Sequence, residues 1–407
     1  MVMKTGVFLL AMVVLASAAQ AADWPQWRGP NRDGASDETG VPLKWSATEN
    51  VAWKTPIPGK GHSSPIVSGD RVFVTTAIPE EQKRMLLCLD AKDGKVLWQQ
   101  VVVTAPLETI NNLNSYASST PATDGQHVFV DFLGRDAIQV ACYDLDGKLV
   151  WARSPGKWAA MHGFCSSPVL YKDTIILNGD QDGDGYLVAM DKATGETKWK
   201  TDRPNKVRSW CPPVIFDVNG RKELVMSGSK CVAAYDPDTG KQIWIYDGPT
   251  VQFVASQAMA EGVVLVTGGY PELHLVGIKP DGEGNVTKTH EAWHERKGVA
   301  YVPSPIAWGP WFFVIADGGQ ASCIEAKTGR FVWSEMLGKH HSASPVSAGG
   351  RLYFLDDTGT TWVLKAGPTF EVLAKNELGE PCVASPAISR GHVFIRALHN
   401  LYGIGAK

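Results

Sequence analysis

The amino-acid sequence predicts an all-β fold, an eight-bladed β-propeller of four-stranded antiparallel blades. Three observations carry this expectation. A formula of an acid, a turn glycine and a tryptophan, each four residues apart, recurs as Asp90/Gly94/Trp98, Asp191/Gly195/Trp199, Asp236/Gly240/Trp244 and Glu325/Gly329/Trp333. A second signature, small residues and proline followed by a β-rich run, recurs in eight units: HSSPIV, SSTPAT, CSSPVL, WCPPVI, VASQAM, VPSPIA, SASPVS and VASPAI. The spacing from Pro65 through Pro121, Pro168 and Pro213 to Pro305, Pro345 and Pro386 is that of a four-stranded blade, with a degenerate fifth unit in between.

Taken from the N-terminus, MVMKTGVFLLAMVVLASAAQAAD has one lysine, an apolar run and an Ala19-Gln20-Ala21 site. That is the layout of a secretory signal peptide over residues 1–21, so the protein is expected to be exported to the periplasm or cell envelope. No cysteine follows the run, and no lipid anchor is expected. No later segment is apolar enough for a membrane-spanning helix. Residues 22–48 form an N-terminal extension whose WPQWRGPNRDG stretch either caps the ring or docks another protein. Residues 49–407 form a single propeller domain, expected to be monomeric. The chain ends at LYGIGAK, one strand short of a blade, while ENVAWKTPI places Trp53 in a fourth-strand context with no strands before it. The N-terminal strand should therefore complete the last blade and remove the free edges of a linear array.

The acid–glycine–tryptophan stretches read as hairpins, because glycine supplies positive φ and aspartate bonds its own backbone. YDLDGKLVW, ending at Trp151, is a shorter variant, and GIKPDGEGNVTKTHEAW, ending at Trp293, a longer one. Trp98, Trp151, Trp199, Trp244 and Trp333 are expected to pack blade against blade and not to touch a ligand. Cys88, Cys142 and Cys323 lie two residues before the repeat acid and read as small core residues, whereas Cys165 and Cys211 are candidates for a disulfide.

Charge argues against a nucleic-acid partner: 39 Lys and Arg face 42 Asp and Glu, a formal net charge of −3. No G-x-S-x-G, phosphate-binding loop or dinucleotide fingerprint is present. HEAWH, residues 290–294, matches the zinc-protease pattern, but that pattern needs a helix, and the flanking residues alternate as a strand. On a strand His290 and His294 stand about 13 Å apart, too far to share one zinc. GDQDGDG presents Asp180, Asp182 and Asp184 in the alternation of a calcium loop, with a solvated hairpin as the competing reading. Residues just before each inner strand should ring one mouth of the channel: Lys60, His62, Tyr116, His162, Arg208, Trp210, Gln252, Tyr301, His340 and His341. Histidines, a guanidinium and aromatics in one ring suit a small, planar, anionic ligand.

The stretches LDAKDGKVLW and MDKATGETKW resemble the tryptophan-docking motif of the pyrroloquinoline-quinone-like (PQQ-like) β-propeller repeat family, and the resemblance spans about residues 50–407. WPQWRGPNRDGAS is similar to the N-terminal signature of exported bacterial members. Two branches frame the implied function. The quinoprotein alcohol and sugar dehydrogenases bind pyrroloquinoline quinone with calcium over the channel; this chain lacks their adjacent-cysteine pair and has no haem-attachment motif. The outer-membrane β-barrel assembly factor branch (BamB-like) is a cofactor-free scaffold with protein partners in the envelope. The resulting expectation is an exported binding or scaffolding protein, with a quinone-dependent dehydrogenase as the alternative. On that alternative His62, Tyr116, His162, Arg208, Trp210, Gln252, Tyr301 and His341 would hold the quinone.

Overall fold

The computed structural model describes residues 22–406, so the expected signal peptide lies outside the described residues. Eight antiparallel sheets follow one another along the chain. Blades 1 to 7 cover 66–104, 122–157, 169–202, 214–247, 258–295, 306–336 and 346–377. Blade 8 takes three strands from the C-terminus, Ala387–Ser389, His392–Arg396 and Asn400–Ile404, and its outer strand, Val51–Pro56, from the N-terminus. The join is antiparallel, with Val51 opposite Ile404 and Thr55 opposite Leu401. The degenerate fifth unit is a full blade, and a two-residue strand of its long hairpin, Gly284–Asn285, adds to the edge of blade 4.

The acid–glycine–tryptophan formula joins each blade to the next. The Trp98 indole N–H donates to the Leu145 carbonyl, Trp151 to Lys192, Trp199 to Pro237 and Trp293 to Ala326. Each indole lies flat on the turn glycine of the following blade. A Cβ added to Gly195, at φ +72°, would stand 2.6 Å from Trp151, so both backbone conformation and space exclude a side chain there. Trp244 differs because the fifth hairpin is longer. Its N–H donates instead to the buried Glu223 carboxylate at 2.8 Å, with Arg221 as that carboxylate's counter-ion.

The second signature forms a belt around the channel. In most units the residue just before the inner strand carries a hydroxyl that accepts the backbone N–H of its counterpart in the preceding blade: the N–H of Ser64 donates to Thr120, that of Thr120 to Ser167, Ser256 to Ser304, Ser304 to Ser344 and Ser344 to Ser385, at 2.9–3.0 Å. Pro212 has no N–H to give, and there the Ser256 hydroxyl donates back to the Pro212 carbonyl. A hydroxyl beside a proline is thus required at a place where N–H groups near the axis have no strand partner.

The inner strands all start at one mouth of the channel. At the other end the N-terminal extension crosses the ring. Trp24 exchanges backbone hydrogen bonds with Val67, the Thr123 N–H donates to the Pro25 carbonyl, Leu170 to the Gln26 side chain, Arg28 to Pro305, and Ser347 to Gly34. Ala35–Ser36 then pairs parallel with the inner strand of blade 7. The extension therefore bonds blades 1, 2, 3, 6 and 7 at one end and caps it, which resolves the expectation of cap or docking arm in favour of the cap.

Candidate functional site

The mouth opposite this cap gathers the residues singled out from the sequence. Tyr301 donates to Gln252 at 3.1 Å, and the His162 ring lies 5.8 Å from Trp210, whose indole N–H donates to the Gly163 carbonyl. Tyr116 sits 5.7 Å beneath the Arg84 guanidinium. His340 bonds Asp357 at 2.7 Å, while His341 is fully buried behind it. Lys60 is exposed and bonds through its backbone to Ala77. Ser and backbone groups of the blade 2 loop accept or donate around His62, whose N–H reaches Ser115 and Ala117.

The electrostatics of this ring differ from a cluster of cations. Burial, reinforced by the nearby Arg396 charge, pulls the His62 imidazole down to about 4. Burial also lowers His162, with Arg208 adding to it, and lowers His341. All three are neutral imidazoles at pH 7. Of the eight residues expected to hold the quinone, the one permanent cation, Arg208, is held by Asp182 at 2.7 Å. A quinone tricarboxylate needs several free cations, so the residues named from the sequence do not fit that group.

The acidic loop is likewise committed. Asp180 forms a fully buried ion pair with Arg203 at 2.8 Å, Asp182 pairs with Arg208, and Asp184 with Lys206 at 2.7 Å. Three aspartates at alternating positions are answered by three cations within TDRPNKVRSW, and each carboxylate faces its own partner. Among the described residues no three His, Cys, Asp or Glu side chains converge as a metal cage. The three aspartates offered for calcium, with the solvated hairpin as the competing reading, each face a cation of the chain in this structure.

The segment from Glu291 to His294 of HEAWH belongs to a strand, Glu291–Glu295, and His290 stands in the turn before it. His294 reaches across to His274 on the neighbouring strand at 2.8 Å, and His290 bonds Thr289. Cys165 and Cys211 are both free thiols. Burial pushes the Cys88, Cys142 and Cys323 thiols up to about 12, as suits core residues without redox chemistry at neutral pH.

Sequence reasoning missed Arg396. Strand register aligns Thr75, Asp131, Asn178, Ser227, Thr267, Ile315, Leu355 and Arg396 at one position of the second strand in blades 1 to 8. All eight are buried. The signal was available, since HVFIR places arginine where HVFVD places aspartate. Reading it required the blade register.

Comparison with known proteins follows this geometry. The family described as "Outer membrane protein assembly factor BamB" matches residues 36–138, 111–273, 282–369 and 317–403. A protein of that name from Shewanella oneidensis is 22% identical over 55% of this chain and 56% of its own length. One from Yersinia pestis is 19% identical over 82% of this chain and 71% of its own length. The match thus spans little more than half of the first of these relatives. Among solved structures, the quinohemoprotein alcohol dehydrogenase from Comamonas testosteroni superposes with a TM-score of 0.70 at 13% identity, covering 96% of this chain and 82% of that one. BamB from Moraxella catarrhalis gives 0.54 at 16% identity, covering 77% and 85%. These likenesses show the fold, and the family match, which extends over most of the chain, shows the lineage: this chain belongs to the PQQ-like, BamB-type β-propeller family.

Proposed function

We propose that the protein is an exported scaffold that holds protein partners in the cell envelope through its open mouth. The observation that carries this reading is the asymmetry of the two ends. One end is occupied by the chain's own extension, while the mouth loops expose Leu113, Met161, Tyr270 and Leu273, each at least half exposed. Apolar side chains at such exposure on one face mark a contact surface. Leu113 and Met161 sit on adjoining loops, since the neighbouring Asn114 side chain donates to the His162 carbonyl. Membership of a family described by outer-membrane assembly supports an envelope location and protein partners. The pairing of Arg208 with Asp182 weighs against the dehydrogenase alternative.

The test is in-cell cross-linking from the mouth loops, comparing the wild type with a Leu113→Asp/Met161→Asp variant. The expected result is capture of an outer-membrane assembly component by the wild type and its loss in the variant. Equal capture by both would remove the mouth from the reading. Saturable heat on titration with pyrroloquinoline quinone would replace the scaffold with the dehydrogenase.

A further inference from the structure

In blades 1, 3 and 5 the shared second-strand position bonds the loop that precedes the inner strand of the next blade. Thr75 donates to Ala117 and Ser119, Asn178 to Ser209 and Cys211, and Thr267 to Ala300. In blade 8 the residue is Arg396, and the next loop is that of blade 1, which carries Gly61 and His62. No such bond forms. The Arg396 Nε donates to the adjacent Ala397 carbonyl at 3.2 Å, and both Nη atoms are buried without a partner.

In place of the bond there is a small cavity. It is lined by Arg396, Ala397 and Leu398 on one side, Gly61 and His62 on the other, and Pro381 and Val383 at the rim, with about 20 Å³ open to a water-sized group. Pro381 is exposed, so the cavity reaches solvent at the mouth. The nearest acid cannot serve as counter-ion. Glu380 already accepts from the His399 and Asn400 backbone, the Asn400 side chain and the Tyr402 hydroxyl, and stands 3.8 Å from Lys54. A guanidinium keeps its charge in a protein, and a buried charge without a counter-ion is costly. Two unpartnered nitrogens with a fixed fork of N–H donors match a carboxylate.

We propose that Arg396, with His62 beside it, forms a carboxylate-binding site in the seam between blades 8 and 1 at the channel mouth. The cavity accepts one oxygen of the ligand, and the remainder of the carboxylate stays at the rim. An acidic side chain or chain terminus of a protein and a free small acid present the same head group. The site is independent of partner capture, because it can be filled by the small acid alone.

The probe is sodium acetate, titrated into the mature protein against sodium chloride at constant ionic strength. Two readouts are followed: the melting temperature and the titration of the His62 ring protons by nuclear magnetic resonance. Acetate should raise the melting temperature in step with the logarithm of its concentration above the dissociation constant, and should shift the His62 pKa upward saturably, since an anion beside the imidazole favours its charged form. Arg396→Met should weaken acetate at least tenfold. Arg396→Lys, which keeps a charge at the position but loses the guanidinium fork, covers the case in which the methionine variant does not fold and should also bind acetate more weakly than the wild type. No saturable effect in the wild type, or an equal effect of chloride, would overturn the carboxylate assignment, and so would unchanged binding by Arg396→Met. A peptide with a single glutamate that competes with acetate would identify a protein group as a source, whereas acetate binding without peptide competition would restrict the site to free acids.

Discussion

The seams between blades 3 and 4 and between blades 8 and 1 each bury an arginine near the mouth, and they treat it in opposite ways. Arg203 donates to both oxygens of Asp180, to the Tyr235 hydroxyl and to the Gly228 carbonyl, so every nitrogen has a partner. The Asp180 carboxylate in turn accepts from Ser209. Arg396 has an equally buried guanidinium and a single backbone acceptor. Two charges at similar depth thus have different roles: a closed network fixes blade register, while an open one is ready for a ligand.

The largest expected effect breaks the closed seam. Arg203→Met leaves Asp180 buried without its counter-ion and should destabilise the fold by about 3–5 kcal/mol, measured by denaturant unfolding. The double variant Asp180→Asn/Arg203→Met should recover part of that loss, because the cost arises from the charge left alone. If the double variant is as unstable as the sum of the single ones, the network is not a coupled pair. Trp199→Ala comes next. Its indole covers Gly240 and donates to Pro237, but it is partly exposed, so a loss of about 3 kcal/mol is expected. An unchanged midpoint would mean that the hairpin formula contributes no stability between blades.

A pH profile sharpens the comparison at a third seam. Asp131 holds the Arg396 position in blade 2; its one bond is from Ser119, and burial raises its carboxyl to about 8. The folded state then carries a proton that the unfolded state releases from about pH 4 upward. Stability should therefore fall as pH rises through this window, by up to about 1.4 kcal/mol per pH unit, and Asp131→Asn should flatten the fall. On the acid side the neutral His62 has the opposite sign. Its folded pKa of about 4 lies below the ordinary value, so the unfolded chain binds the extra proton and this contribution falls as pH drops from 6.5 towards 4; over that range it offsets the Asp131 slope, so the net fall of the wild type should appear between pH 6.5 and 8, and Asp131→Asn should expose the His62 slope below 6.5. A wild-type profile that is flat from pH 4 to 8, matched by Asp131→Asn, would contradict both assignments.

The architecture was legible in the sequence because its marks are local. A turn glycine, an indole four residues on, and a serine beside a proline each record a contact that most blades repeat, so the recurring copies expose the rule. The ring closure was readable from the displaced Trp53 strand for the same reason. The site was harder to read. The mouth residues were located by their place before each inner strand, but their charge states depend on burial and on Arg208 facing Asp182, which no single unit displays. The ion pairs of the acidic loop were not legible because its answering cations lie some twenty residues later. Arg396 was hidden by its setting in an apolar strand run, where nothing local distinguishes a paired guanidinium from an open one.

The smallest effect on stability is expected where the seam is open, and it is the most discriminating. Replacing Arg396 with methionine removes a buried charge that has no counter-ion, at little change in side-chain volume. In buffer without carboxylates Arg396→Met should therefore unfold within about 1 kcal/mol of the wild type, or be more stable. Acetate at ten times its dissociation constant should stabilise the wild type alone by about 1.4 kcal/mol, moving the two curves further apart with the logarithm of its concentration. A structural arginine would behave as Arg203 does: its removal would cost several kcal/mol in any buffer, and acetate would leave the difference untouched. The two seams are distinguished by whether the cost of losing the arginine depends on what is dissolved in the solvent.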